Sequence, residues 1–206
     1  MKKLISILVF FMLCLAVKAQ FVQYGIKAGM NLSGESDHVY PASTFEGSGY
    51  TTGFALGGVV NYQLSHSLDM EADLMYSMQG MKDDITIMEG NEGFERQVDY
   101  KIRSHYMNLP IVLKYYMMDG LYIECGPQVG YLLSKKDEVE TGDITNMFDA
   151  SNTKKVDFSI LGGLGMVFKN NMFIDARYIH GMTDTCELYK GGRNRTFQIV
   201  LGYYFN

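Results

Sequence analysis

The chain has 206 residues, a formal net charge of −5 and a mean hydropathy of −0.05, with 22 glycines, 15 tyrosines and no tryptophan. This length suits a single domain, and the lack of a basic excess argues against a nucleic-acid partner. The hydropathy excludes a helical membrane protein. It does not exclude a protein that crosses a membrane with strands, because such strands alternate polar and apolar residues.

The first segment has the pattern of an export signal. Lys2 and Lys3 precede an apolar run at 4–17, and Val17-Lys18-Ala19 resembles the small-x-Ala site at which signal peptidase cleaves. We therefore expect residues 1–19 to be a signal peptide and the mature chain to begin near Gln20.

Residues 20–206 are predicted to form one β-barrel domain. No apolar run in this region reaches the roughly 20 residues that a spanning helix needs, so any membrane span must consist of strands. Two cysteines remain after cleavage, Cys125 and Cys186. Export would permit a disulfide between them. The first falls within a predicted strand and the second in a predicted loop, so two free thiols are the favoured expectation.

Period-two alternation recurs along the mature chain and is clearest at its end. Phe197, Ile199, Leu201, Tyr203 and Phe205 share one face of an extended segment, since successive side chains of a strand point to opposite sides. The same pattern predicts eight strands, at 23–32, 53–64, 67–79, 100–116, 121–133, 156–168, 172–183 and 196–206.

One proline interrupts this pattern. Pro110 lacks a ladder donor, which predicts a bulge or local break in the fourth strand and leaves the facing of the following residues open.

The predicted connections alternate between long and short. Long loops are expected at 33–52, 80–98, 134–155 and 184–194, and short turns at 65–66, 117–120 and 169–171. All long loops then lie at one end of an up-and-down barrel, as in outer-membrane barrels with short periplasmic turns. The predicted fold is all-β, an eight-stranded antiparallel up-and-down transmembrane β-barrel in the outer membrane.

The two strand faces differ in size and polarity. Glycines and charged residues share one face, which suits the narrow interior of an eight-stranded barrel, and large apolar residues occupy the other. An aromatic girdle at the membrane interface is predicted from Tyr24, Tyr62, Tyr76, Tyr131, Tyr178 and Tyr203.

Charged residues on the inward face predict an ion-pair network in the lumen. The acidic row Asp69, Glu71 and Asp73 on the third strand is expected to face a basic row on the fourth strand, because buried charges need partners. That basic row is Lys101, Arg103 and His105. The full predicted network is Lys27, Asp69, Glu71, Asp73, Lys101, Arg103, Glu124, Asp157, Asp175 and Arg177.

The sequence gives less support to other interpretations of these residues. The acidic row could bind a cation, and an enzyme in the membrane could use Asp69, Glu71, Ser77 or His105. No spacing marks a nucleophile, a base and an orienting group. We therefore predict no catalytic residue, no metal site and no cofactor.

Several segments carry a family resemblance over the whole mature chain. They are Tyr-Gly-Ile-Lys-Ala-Gly-Met-Asn-Leu at 24–32, Tyr-Met-Asn-Leu-Pro-Ile-Val-Leu-Lys-Tyr-Tyr at 106–116, Gly-Pro-Gln-Val-Gly-Tyr-Leu-Leu-Ser at 126–134, Asp-Ala-Arg-Tyr-Ile-His-Gly-Met-Thr at 175–183 and Leu-Gly-Tyr-Tyr-Phe-Asn at 201–206. The chain resembles the outer-membrane β-barrel proteins of Bacteroidetes, the PorT-like or OmpA-like barrels.

The resemblance implies a barrel-assembly signal at Tyr203 and Phe205, although Asn206 follows the final aromatic residue. One named relative takes part in a protein-secretion machine.

The predicted function is that of a non-enzymatic barrel with a filled lumen. It would act through external loops or periplasmic turns, in envelope or adhesion interactions or in a secretion assembly. The expected partners are outer-membrane lipid, the barrel-assembly machinery and a protein at the loops, with the barrel itself a monomer. The alternatives are a secreted lipocalin-like carrier of a small ligand, with its apolar face inward, and a narrow diffusion porin.

Overall fold

The structure is a computed structural model that describes residues 21–35, 49–89, 94–139, 154–183 and 193–205; it does not describe the side chains of residues 35, 81–102 and 136–139. The described residues form eight strands: β1 (Val22–Glu35), β2 (Gly49–Gln63), β3 (Leu68–Glu89), β4 (Phe94–Met118), β5 (Leu121–Val139), β6 (Val156–Val167), β7 (Met172–Gly181) and β8 (Asn194–Phe205).

Each strand pairs antiparallel with its sequence neighbours, and β1 pairs with β8 to close the sheet. The closing register runs from Tyr24 opposite Phe205 to Glu35 opposite Asn194. Closure leaves no unpaired edge in this ladder, which is how a sheet satisfies its backbone groups in lipid. The prediction of an eight-stranded antiparallel barrel is confirmed. Among the residues described, no helix is long and apolar enough to cross a membrane.

Alternation along the strands separates a polar lumen from an apolar outer surface. In β7 the side chains of Phe173, Asp175, Arg177 and Ile179 are buried, and those between them point outward and are exposed or half-buried. Large apolar residues on the outer surface expose about half of their area, including Leu74, Ile160, Leu164, Ile199 and Leu201. This arrangement suits lipid outside the barrel. The alternative of a soluble carrier with an inward apolar face is wrong.

The predicted short turns join β2 to β3, β4 to β5 and β6 to β7. Asp119-Gly120 forms the tightest of them, and Gly120 adopts φ of 81°, a conformation that costs little without a Cβ atom. The turn after β6 uses Asn171 at φ of 64°. These turns lie at the same end of the barrel as the start of β1 and the end of β8.

One prediction about strand length is wrong, and the prediction of a bulge or local break at Pro110 is confirmed as a local break. The 80–98 loop is mostly strand, because β3 extends to Glu89 and β4 begins at Phe94. Pro110 causes no register shift: Ala72 pairs with Ile111 and Met75 with Asn108, in one continuous register. The ladder to β3 omits the residue pairs nearest Pro110 and then resumes, which is the expected local break, and it forms without the inserted residue of a bulge. The register shifts in the β4–β5 pairing occur instead at 105/106 and 116/118.

Candidate functional site

Seven charged side chains meet inside the barrel in the half nearest the short turns. We call them the lumen network; they are Lys27 of β1, Glu71 and Asp73 of β3, Lys114 of β4, Glu124 of β5, and Asp175 and Arg177 of β7. Their side chains are almost wholly buried, which requires that the charges be paired within the lumen. Ion pairs in the interior thereby connect five of the eight strands.

Arg177 is the cation with the most carboxylate partners. Its Nε and Nη2 donate to the two oxygens of Glu124 at 2.6 and 3.0 Å, which is the two-pronged geometry that suits a guanidinium. Nη1 donates to Asp73 at 2.7 Å, and Nη2 also lies 3.0 Å from Glu71 and 3.1 Å from Asp175. One guanidinium thus holds carboxylates from three strands.

Glu71 is the corresponding centre for anionic charge. Its Oε1 accepts from Lys27 and from Arg177, and its Oε2 accepts from Lys114 Nζ at 2.6 Å and from the Tyr204 hydroxyl at 2.6 Å. Lys27 Nζ also lies 3.0 Å from Asp73 and 3.3 Å from Asp175. Each ammonium or guanidinium therefore serves more than one polar partner.

Aromatic side chains complete the packing around these charges. The Tyr122 hydroxyl donates to Asp175, and Lys114 Nζ lies 4.4 Å from the centroid of the Tyr122 ring. The rings of Phe173 and Tyr204 stack at 4.4 Å. A Cβ atom on Gly202 would come within 2.1 Å of the Phe173 ring, so glycine makes room for this stack. The interior therefore also holds large rings, which corrects the expectation of a lumen lined only by small and charged residues.

The remaining lumen side chains, toward the other end, are mostly neutral. Asn31 donates from its Nδ2 to Ser77 Oγ at 2.8 Å, and its Oδ1 accepts from Gln198 Nε2 at 2.8 Å. Thr196 Oγ1 donates to Ser33 Oγ at 3.1 Å. Apolar clusters interleave with them, one of which contains Val112, Leu161 and Ile179. The lumen is therefore polar at both levels, with the charge concentrated near the turns.

The carboxylates could be mistaken for a metal centre. Oxygens of Glu71, Glu124 and Asp175 lie within 4.8 Å of one another, the one such group of ligand atoms in the described part of the chain. All six oxygens already accept from a protein cation or a tyrosine hydroxyl. Three cations against four carboxylates leave a formal charge of −1 in the network. The oxygens that a metal ion would need are thus already paired with groups of the protein.

The structure brings together six of the ten residues expected in the lumen network: Lys27, Glu71, Asp73, Glu124, Asp175 and Arg177. Two more face the lumen away from it. Asp69 accepts from Asn61 Nδ2 at 2.9 Å nearer the turns, and Asp157 lies near the opposite end of the barrel, where it accepts from Ser159 Oγ at 3.2 Å.

The basic row on β4 was assigned to the wrong face. Ser77 and Tyr106 are both buried and are paired across β3 and β4. The adjacent pair in this ladder, Met78 and His105, therefore points outward. Arg103, two residues from His105, has the same outward direction. Glu71 and Asp73 of the acidic row instead pair with cations on β1, β4 and β7. The side chain of Lys101 lies outside the described residues.

Sequence reasoning missed three members of this assembly, Lys114, Tyr122 and Tyr204. A usable signal existed for Lys114: the apolar residues at 109, 111, 113 and 115 share one face, which leaves Lys114 on the lumen face. Tyr122 and Tyr204 carried no such signal, because tyrosine is common both inside barrels and on their outer girdles.

The residues considered for catalysis do not assemble. Ser77 Oγ accepts from Asn31 and from Gln79 inside the barrel, whereas His105 lies on the outer face, where its Nδ1 is 2.7 Å from the Tyr76 hydroxyl. The barrel wall thus separates the candidate nucleophile from the candidate base.

The remaining predicted positions concern the outer surface and the thiols. Tyr203 and Phe205 face outward near the end of β8 and are exposed. Cys125 is free and exposed. Cys186 lies outside the described residues, so its predicted free state stays a prediction.

Comparisons with known proteins agree with this architecture. Neisserial surface protein A is similar in structure, with a TM-score of 0.53 and 13% sequence identity over 88% of this chain and 97% of that one. The attachment invasion locus protein Ail of Yersinia pestis gives a TM-score of 0.47 and 14% identity over 90% of this chain and 100% of Ail. OprG of Pseudomonas aeruginosa gives a TM-score of 0.46 and 13% sequence identity, over 89% of this chain and 96% of OprG.

At these identities the structural likeness, which exceeds a TM-score of 0.5 for Neisserial surface protein A, shows the fold alone. No curated protein matches the sequence. A family model described as an outer membrane protein β-barrel domain matches residues 18–187, which is most of the chain. Together with the closed barrel and its apolar outer surface, this match shows that the chain belongs to the outer membrane β-barrel domain family and lies in the outer membrane.

Proposed function

We propose that this outer-membrane barrel is non-enzymatic, has a filled lumen, and acts through the segments at its long-loop end or through its periplasmic turns. The observation that carries the proposal is the lumen network, in which Arg177 and Glu71 hold side chains from five strands. An eight-stranded barrel has an interior just wide enough for its own side chains.

A conducting path would require this network to open. The network side chains have 0–1% exposure, so their pairing takes place away from bulk water. Breaking one buried pair by removing a partner costs about 3–5 kcal/mol, because the other charge stays buried without compensation. A path past Arg177 would disturb its contacts with four carboxylates together. Such a site favours a static plug over a narrow diffusion porin.

The partner is then expected outside the barrel wall. The sequence places its longest polar segments at the end opposite the short turns, which in this family of folds is the external end. Binding residues are found most often on surface loops that a rigid scaffold positions. We propose envelope or adhesion contacts, or a role in a secretion assembly as in the PorT-like barrels of Bacteroidetes that the sequence resembles.

Export and assembly complete the proposal. Residues 1–19 would be removed as a signal peptide, leaving Gln20 as the mature N-terminus. Tyr203 and Phe205 would be read by the barrel-assembly machinery, and the inserted barrel would be a monomer in lipid.

The proposal that the lumen is filled is tested by measuring current through the barrel. Refolded wild-type protein, shown to be folded by far-UV circular dichroism, is inserted in planar bilayers, with a 16-stranded porin as the positive control. We expect no steady current. Stable single-channel conductance of the wild-type monomer would overturn the filled-lumen proposal and put the narrow diffusion porin ahead of it.

The surface half is tested by photo-crosslinking in living cells. A photoreactive amino acid is placed at positions within 140–153, and in separate variants at positions 65–66 in a short turn. Adducts with one reproducible protein from either set support action through that end. If neither set gives an adduct above that of a lipid-facing control at position 160, the proposed protein contacts are wrong.

A further inference from the structure

We propose that the lumen network binds one proton, held on the free carboxylate oxygen of Asp73, and that the barrel takes up this proton when it folds. Two observations carry the inference, a surplus of carboxylates in the network and a buried carboxylate oxygen without a donor. The inference rests on the closed lumen proposed above, because a carboxylate in contact with water needs no such partner.

The network has more carboxylates than cations. Its four carboxylates meet three cations, and all seven side chains have 0–1% exposure. Asp69, which faces the lumen nearer the turns, adds a further negative charge. The other polar side chains described in this half of the lumen are uncharged, and they include Asn61 of β2, Tyr116 of β4, Tyr122 of β5 and Tyr204 of β8. A surplus charge held away from water is costly, and protonation of one carboxyl group removes it.

Asp73 is the carboxylate with room for the proton. Its Oδ2 accepts from Lys27 Nζ at 3.0 Å and from Arg177 Nη1 at 2.7 Å. Its Oδ1 is buried and accepts no hydrogen bond from the part of the chain that the structure describes. Both oxygens of the other three carboxylates already accept from a cation or a tyrosine hydroxyl. Among the carboxylate oxygens of the network, Asp73 Oδ1 is therefore the one that is free to carry a proton.

The packing favours a proton over a metal ion as the missing partner. A calcium ion takes about 6–8 oxygen ligands, whereas the network offers one carboxylate oxygen that is not already paired. Strand β6 also packs closely against these carboxylates. A Cβ atom on Gly163 would lie 3.1 Å from Glu124 Oε1, and one on Gly165 would lie 2.5 Å from Asp175 Oδ1. A proton needs one oxygen and no ligand shell, so it fits where a metal ion does not.

The bound proton leaves the existing ion pairs in place. A protonated carboxyl group keeps one oxygen as an acceptor, so Oδ2 still receives Lys27 and Arg177 while Oδ1 carries the hydrogen. The formal charge of the network then changes from −1 to zero. Because the side chains of the folded network are closed off from water, the proton enters from solvent as the barrel forms.

The test is infrared spectroscopy of the folded mature protein in vesicles at neutral pH, where a protonated carboxyl group gives a carbonyl band distinct from that of a carboxylate. We expect such a band in the wild type. It should shift when the aspartate side chains carry carbon-13 and stay in place when the glutamate side chains do. This measurement uses the wild type alone. The absence of the band, as for an ionised Asp73 with a trapped water or sodium ion, would overturn the proposal, and so would a shift with labelled glutamate.

Variants then assign the site. Asp73→Asn places an amide where the protonated carboxyl group lies, so it should remove the band and lower the unfolding midpoint by at most about half as much as Asp175→Asn, which removes a carboxylate paired with two cations. Asp157→Asn, near the opposite end of the lumen, is the matched control and should keep the band. A band that persists in Asp73→Asn, or equal midpoint losses in Asp73→Asn and Asp175→Asn, would refute the assignment.

The current measurement separates this proposal from the filled lumen. The same wild-type preparation is inserted in planar bilayers. A steady current would refute the filled lumen whatever the infrared band shows. A barrel that passes no current and lacks the band would refute the bound proton alone.

Discussion

Replacing Arg177 by Met tests the energetic role of the lumen network. The change removes the guanidinium that holds both oxygens of Glu124 and also contacts Glu71, Asp73 and Asp175, while the methionine side chain retains apolar volume. Among the described residues Arg177 is the one ion partner of Glu124, so its removal leaves a buried carboxylate uncompensated. We expect the free energy of unfolding to fall by about 3–5 kcal/mol.

The assay is guanidinium unfolding and refolding in short-chain phosphatidylcholine vesicles. Far-UV circular dichroism reports strand content, which suits a protein without tryptophan. The matched control is Arg195→Ala, which removes an exposed arginine from the outer wall and should change stability by less than about 0.5 kcal/mol. Planar bilayers should show no steady current for either variant.

A double variant separates charge pairing from packing. Arg177→Met with Glu124→Gln removes one charge of each sign and so returns the network to its original formal charge of −1. Its cost should be smaller than the sum of the two single changes by at least about 1.5 kcal/mol, as contacting residues couple. If Arg177→Met costs no more than Arg195→Ala, or if the two single changes add, the reasoning about the network is refuted.

Three further outcomes are expected. Leu74→Arg, on the lipid face of β3, should lower stability by about 2–4 kcal/mol in the same vesicles. Leu64→Arg, one residue beyond β2 in the short turn, should lower it by about 0–1 kcal/mol; equal losses would contradict the assigned depths. Gly202→Ala should destabilise the protein by about 1–3 kcal/mol, because the added Cβ atom would clash with the Phe173 ring. Gly162→Ala should be neutral or stabilising, because nothing lies within 4 Å of the added Cβ atom. If the two variants have the same unfolding midpoint, the steric explanation is wrong. Intact-mass measurement of exported protein should give an N-terminus at Gln20, and retention of the preceding residues would count against signal cleavage there.

The fourth strand shows where local reasoning failed. Lys101, Arg103 and His105 form one alternating polar row, and Lys114 belongs to the opposite row of the same strand. The basic row is predicted to face the lumen because the acidic row on the neighbouring strand needs cationic partners. The structure instead pairs Ser77 with Tyr106 on the inside, and it sends His105 outward to Tyr76. Snorkelling of Arg and His at the membrane interface makes such outward placement acceptable.

The lengths of β3 and β4 show a second limit. Glycine and acidic residues at 80–98 suggested a loop, yet Gly80 pairs with Arg103 and the ladder continues to Glu89 opposite Phe94. Strand pairing between neighbours can override weak local propensity, since each ladder position gains its hydrogen bonds from the partner strand.

The sequence by itself determined the eight strands, the closed antiparallel order and the face of most side chains, because period-two alternation and loop length are local properties. It also indicated six of the charges that meet in the lumen. Only the tertiary structure decided which charges contact one another, since Glu71, Arg177 and Lys114 come together through the register and closure of strands far apart in sequence. The same closure brought Tyr204 of the last strand onto Glu71 of the third, a contact that no local pattern encodes.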